Sequence, residues 1–117
     1  MAWRDFIRET CCIGGEWVAA DGGATIDVTD PASGDVIGTV PRMGRAETAR
    51  AIDAAHEAFL HYRALTAAER QTMMMRLYDA MMDNQADLGE LLTREMGKPL
   101  AEGRGEIAYG ASFIKWF

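Results

Sequence analysis

The strongest constraint on the fold lies in residues 66–83, TAAERQTMMMRLYDAMMD. Thr66-Ala67-Ala68-Glu69 is a capping box. The hydroxyl can accept the Glu69 amide proton while the carboxylate reaches back to the amide of Thr66. A helix is expected from there to about Asp83. Met73, Met74, Leu77, Tyr78, Met81 and Met82 then cover a broad face of it. A helix apolar over so much of its circumference needs neighbours on several sides. Methionine is flexible and polarizable, so the stripe suits either core packing, its commoner use, or an adaptable binding groove.

The neighbours are legible on both sides. Ile52, Ala55 and Phe59 recur at helical spacing in an Ala-rich run from Arg45 to His61. Asn84 interrupts the Met-rich helix, and QADLGELLTREM continues helical until Gly97 and Pro99 stop it. A last helix starts near Leu100 and is still running at Phe117. The first forty residues read as strands and turns. CIGGEWVAA (12–20) alternates loosely and carries Trp17 and Val18, which suit a pleated surface. TIDVTD (25–30) and DVIGTV (35–40) flank a turn in which Pro31 presets φ and Gly34 accepts the left-handed conformation. The expected class is therefore α+β: an N-terminal β-hairpin followed by three or four helices.

Composition narrows the functional classes. Twelve basic against eighteen acidic residues give a net charge of −6, so the chain offers no electrostatic footprint for nucleic acid or an anionic membrane. No apolar run approaches the roughly 18 residues of a membrane span. The opening MAWRDFIRET has no apolar core of a secretory signal. Cys11 and Cys12 are adjacent, which suits neither a disulfide framework nor a metal site, and a reducing cytoplasm is the expected location.

Candidate chemistry is sparse. GRGEIA (103–108) spells the short form of the dinucleotide fingerprint, Gly103-x-Gly105-x-x-Ala108. The fingerprint needs a strand before it and an acidic residue about twenty positions on. Here Lys98-Pro99-Leu100 starts a helix instead, so Gly103 and Gly105 are expected inside that helix, permitting close packing. His56 and His61 lack a second ligand at metal-binding spacing. Glu102 and Glu106 lie one turn apart, but Arg104 and Lys115 make an ordinary solvated face the simpler reading. No catalytic and no cofactor-binding residue is assigned.

The order of features nevertheless resembles a known family. IGGEWVAADGGATIDVTDPASGDVIGTVPRMG is similar to the opening of the aldehyde dehydrogenase superfamily, with its NGEW-like strand and NPATGE-like turn. ALTAAER, EMGKPLAE and GEIAYGASFIKWF look most like the NAD(P)-dependent succinate-semialdehyde dehydrogenases. The resemblance covers residues 12–117, leaving 1–11 as an N-terminal extension. It implies the first part of the cofactor-binding domain of an α/β oxidoreductase, truncated here, that turns succinate semialdehyde or a similar aldehyde into the acid. In such enzymes a cysteine thiolate attacks the aldehyde and hydride passes to nicotinamide. A glutamate-activated water then releases the product.

The family's nucleophile, general base and phosphate-binding residues have no counterpart in these 117 residues, and Cys11 and Cys12 do not match the nucleophile's motif. NAD or NADP is thus expected in the parent enzyme and not on this chain alone. The expected partners are the remainder of the dehydrogenase chain and further copies in a homo-oligomer. By resemblance, a monovalent cation would be held by backbone oxygens at Val28 and Thr29 and by the Glu95 carboxylate, with Asp30 in place of the usual Asn. Glu95 as an ordinary helix-end residue is the alternative. Gly105 and Tyr109 would lie near the substrate entrance. The uncapped end of the last helix, closing on Trp116 and Phe117, suggests that polypeptide normally follows. A reading from a different class is a small helical adaptor that binds partners through the Met-rich face.

Overall fold

The computed structural model describes residues 2–117. Two hairpins and four helices succeed one another, with a short 3-10 turn at Trp3–Phe6. They fall into two compact units. One comprises residues 8–28 and 36–65. The other comprises residues 2–7, 29–35 and 66–117.

In the hairpin-containing unit, strands β1 (Cys11–Ile13) and β2 (Glu16–Val18) pair antiparallel, with Cys11 opposite Val18 and Cys12 opposite Trp17. The stretch expected to alternate as a strand is thus folded back on itself. Gly14 and Gly15 have φ of 62° and 85°, the left-handed pair that a tight two-residue hairpin requires. Strands β3 (Thr25–Thr29) and β4 (Val36–Pro41) pair as the second hairpin. Helix α1 (Arg45–Tyr62) packs on β1, where the space for a side chain at Gly14 opens 3.8 Å from the Ala54 methyl. The helical stripe of Ile52 and Phe59 does not make this contact; those residues are 63% and 53% exposed. The half-buried side of α1 is instead Ala51 and Ala54. Small residues let a turn approach the helix closely, which a large apolar stripe would prevent.

The helical unit holds α2 (Ala67–Asp83), α3 (Gln85–Met96) and α4 (Leu100–Trp116). The Thr66–Glu69 box forms as expected: Glu69 N–H donates to Thr66 Oγ1 at 3.3 Å and Thr66 N–H to Glu69 Oε2 at 2.8 Å. The Thr66 hydroxyl, donating to Glu69 Oε2 at 2.7 Å, and then the Thr66 amide hold the Glu69 carboxyl below the usual glutamate value. Asn84 separates α2 from α3 at φ −111°. Gly97, at φ +80°, ends α3 and donates its N–H to the Thr93 carbonyl at 2.8 Å.

Helices α3 and α4 meet backbone to backbone. A Cβ on Gly103 would lie 2.6 Å from the Gly89 carbonyl oxygen, and one on Gly89 would lie 2.8 Å from the Arg104 nitrogen. Both glycines are buried, so the crossing tolerates no side chain at either position. Gly105, which the sequence pairs with Gly103, has nothing within 4 Å of its Cβ position. Of these two glycines of α4, only Gly103 makes the close approach. Helix α2 packs on α4 as well. Met74, Met75, Tyr78, Met81 and Met82 are half-buried, while Met73 and Leu77 remain about half exposed. Among the described residues no large side chain is fully buried, and Ala111 is the side chain most completely enclosed.

Candidate functional site

The glycine-rich GRGEIA segment lies wholly within α4. A dinucleotide phosphate needs glycines in the turn between a strand and a helix N-terminus, with amides pointing outward. Here the turn before α4 is Gly97-Lys98-Pro99, and Gly103 is spent on the Gly89 crossing. These residues do not fit the phosphates of a dinucleotide. Glu106 forms an ion pair with Lys98, so the paired-acid alternative for Glu102 and Glu106 gives way to a charged helix face.

Thr29, the last residue of β3, and Glu95, in the last turn of α3, are exposed and belong to the helical unit. Val28 is half-buried and belongs to the hairpin-containing unit. The immediate neighbours of Thr29 and Glu95 meet directly. An Arg94 guanidinium nitrogen lies 3.6 Å from Asp30 Oδ2, and a Cβ on Gly97 would be 3.0 Å from Pro31 Cγ. Asp30 is buried. Its Oδ1 accepts the Ala32 N–H at 2.8 Å, its N–H donates to Asp35 at 2.9 Å, and its carbonyl accepts the Gly34 N–H at 2.7 Å. The turn expected from Pro31 and Gly34 is thus closed by an Asx-type bond as well as by backbone.

Arg94 also reaches Glu90 at 3.4 Å and lies 5.8 Å from the centre of the Trp3 ring, over which Arg4 stacks at 4.5 Å. The residues read from sequence as an extension therefore include a turn, Trp3–Phe6, that packs on α3. Sequence reasoning missed Asp30 and Arg94 as a pair, because their separation of more than sixty positions carries no periodic signal.

Gly105 and Tyr109, the proposed entrance residues, are both exposed on α4, Tyr109 at 66%. The Tyr109 ring meets Phe113 edge-on at 4.9 Å between centroids, a favourable aromatic geometry. With Trp116 and Phe117 they leave an aromatic surface open at the end of α4.

A second cluster that the sequence reading passed over lies at the start of α1. Glu47 is buried, and its two carboxylate oxygens accept the Gly44 N–H at 2.9 Å and the Asp21 N–H at 3.2 Å. Asp21 in turn binds Arg50 through both oxygens, at 2.6 and 3.0 Å. Donation of these hydrogen bonds to Asp21 raises the Arg50 pKa above its ordinary value. Gly44-x-x-Glu47 has capping-box spacing, but glycine offers no side chain to complete the motif.

His56 and His61 are exposed on α1, and Cys11 and Cys12 are free thiols. Among the described residues no group of three His, Cys, Asp or Glu side chains could hold a metal ion, and no helix is long and apolar enough to cross a membrane.

Comparison with known proteins gives this geometry its context. The model of the Aldehyde dehydrogenase family matches residues 17–117. A glutarate-semialdehyde dehydrogenase of Pseudomonas putida is 59% identical over 110 residues, 94% of this chain and 23% of that protein. An NADP-dependent succinate-semialdehyde dehydrogenase of Escherichia coli is 53% identical over 113 residues, 97% of this chain and again 23% of the other. The crystal structure of succinate-semialdehyde dehydrogenase from Burkholderia pseudomallei superposes with a TM-score of 0.92 at 54% identity, covering 96% of this chain and 23% of that one. The chain thus spans just under a quarter of the length of these relatives. The adaptor reading draws no support from them.

Proposed function

Because the chain belongs to the aldehyde dehydrogenase family, we propose that it is the N-terminal segment of an NAD(P)-dependent semialdehyde dehydrogenase. The parent enzyme oxidises succinate semialdehyde, or a dicarboxylic semialdehyde close to it, to the acid. The observation that carries this reading is the agreement of both sequence and backbone with semialdehyde dehydrogenases over nearly all of the chain. Residues 12–117 form the first part of the cofactor-binding domain on this reading, with 1–11 as an extension.

In this proposal the segment supplies framework to the parent enzyme. NAD or NADP is held by other parts of that enzyme, since the glycines of α4 do not fit its phosphates. Backbone oxygens of Val28 and Thr29 and the carboxylate of Glu95 hold a monovalent cation, an all-oxygen donor set suited to a hard ion. Gly105 and Tyr109 border the substrate entrance, where the exposed Tyr109 ring meets substrate or the polypeptide lining its path. The parent assembles as a homo-oligomer. The free thiols of Cys11 and Cys12 are suited to the reducing cytoplasm, where we place it.

The test is a chimera in which residues 12–117 replace the matching segment of the Pseudomonas putida enzyme. Retained reduction of NAD or NADP by glutarate or succinate semialdehyde is expected, and none from the 117-residue chain alone. A folded but inactive chimera, or turnover by the chain alone, overturns the proposal. Tyr109→Ala in the chimera is expected to change KM or kcat; unchanged values would remove Tyr109 from the entrance.

A further inference from the structure

Within the hairpin-containing unit, polar burial converges on one carboxylate. Glu47 is the third residue of α1, and its side chain is 8% exposed. It reaches back to the Gly44 amide, three positions away, and across to the Asp21 amide, 26 positions away. The Asp21 turn is itself closed by a Gly23 N–H bond to the Ala20 carbonyl at 2.8 Å, and Ala20 is buried. Asp21 is tied a second time, through Arg50, one turn further along α1. An ionised carboxylate is purely an acceptor and can satisfy both amides. A protonated carboxyl carries its proton on one oxygen, which weakens that oxygen as an acceptor and loosens one of the two arms.

We propose that Glu47 is an acid-released clamp. Ionised, it fastens the 20–23 turn to the first turn of α1; protonated, it lets the turn go while the helices stay folded. The groups acting on it are few. Asp21 repels the carboxylate, and Arg50, held by Asp21, attracts it. Strand β1, packed on α1, carries only the thiols of Cys11 and Cys12 as titratable side chains. Hydrogen bonds from the amides of Glu47 itself, Asp21 and Gly44 outweigh desolvation and Asp21, and hold its pKa below the usual glutamate value. A depressed carboxylate contributes stability that is fully present above the unfolded-state pKa. That contribution is lost as pH falls through the lower folded value. The clamp is therefore closed at neutral pH and opens only in acid.

Amide hydrogen exchange of the 117-residue chain tests this, with each rate divided by its intrinsic rate at the same pH. Between about pH 6 and about pH 3, the Asp21 and Gly44 amides should lose about tenfold more protection than mid-helix amides of α4, which follow global stability. Glu47→Gln, whose amide offers one acceptor oxygen, should lower protection at one or both amides at every pH and abolish the step. Unchanged wild-type protection on acidification overturns the clamp. So does an equal loss in α4, or a step that survives in the variant. If Glu47→Gln does not fold, the wild-type titration decides the matter alone.

Discussion

The two units of this chain are held together by different means. In the helical unit, glycine removes side chains so that backbones touch: Gly89 and Gly103 bring α3 against α4, and Gly97 brings the end of α3 against Pro31. In the hairpin-containing unit, charged side chains span the gaps: Glu47 to Gly44 and Asp21, Arg50 to Asp21, and Glu9 to Thr39 at 3.2 Å. The lesson is one of sensitivity. A backbone contact fails on addition of a single methyl group, whereas a carboxylate bridge fails on addition of a proton. In both units large apolar residues remain exposed, Ile52 and Phe59 in one, Met73 and Trp116 in the other. Surfaces of this kind suit a segment covered by further polypeptide in the proposed parent enzyme.

The comparison breaks most sharply at paired glycines. Gly103→Ala should destabilise the chain by about 2 kcal/mol in urea denaturation, since forced overpacking outweighs the gain in helix propensity. Gly105→Ala, two positions on in open space, should instead stabilise by up to about 1 kcal/mol. Equal effects at the two sites would show that α3 and α4 do not cross backbone to backbone at Gly103. Gly97→Ala comes next, at a cost of about 1–2 kcal/mol for an alanine held at positive φ. Thr66→Ala should cost about 1 kcal/mol by removing the cap of α2, read from the same denaturation curves.

Acidification should lower the urea midpoint as pH falls below the ordinary glutamate range, because Glu47 and Glu69 both have depressed pKa values. Arg50→Ala is expected to have the smallest effect. Its pair with Asp21 is about half exposed on each side, so the midpoint at neutral pH should hardly move.

Much of the local structure was legible beforehand. The starts of α2, α3 and α4 and the stops of α2 and α3 follow from Thr66, Asn84, Gly97 and Pro99, because caps and breakers act within a turn of their own position. The 30–35 turn was legible from Pro31 and Gly34 for the same reason. The folding of residues 11–18 into two strands was not read, although Gly14-Gly15 is a turn signal, because the surrounding alternation was loose. The proposed cation and entrance positions rest on resemblance to a family, and no periodicity or spacing in these residues points to them independently.

What the amino-acid sequence determined by itself was where α2, α3 and α4 begin, where α2 and α3 stop, the class of the fold and the family. All of these rest on short-range chemistry or on patterns read along the chain. Only tertiary structure decided which of two look-alike glycines is indispensable, which side of α1 is covered, and that Glu47 and Asp30 are buried with partners. Those outcomes depend on what stands opposite each residue in space. Gly103 and Gly105 are identical along the chain, but only one of them faces another backbone.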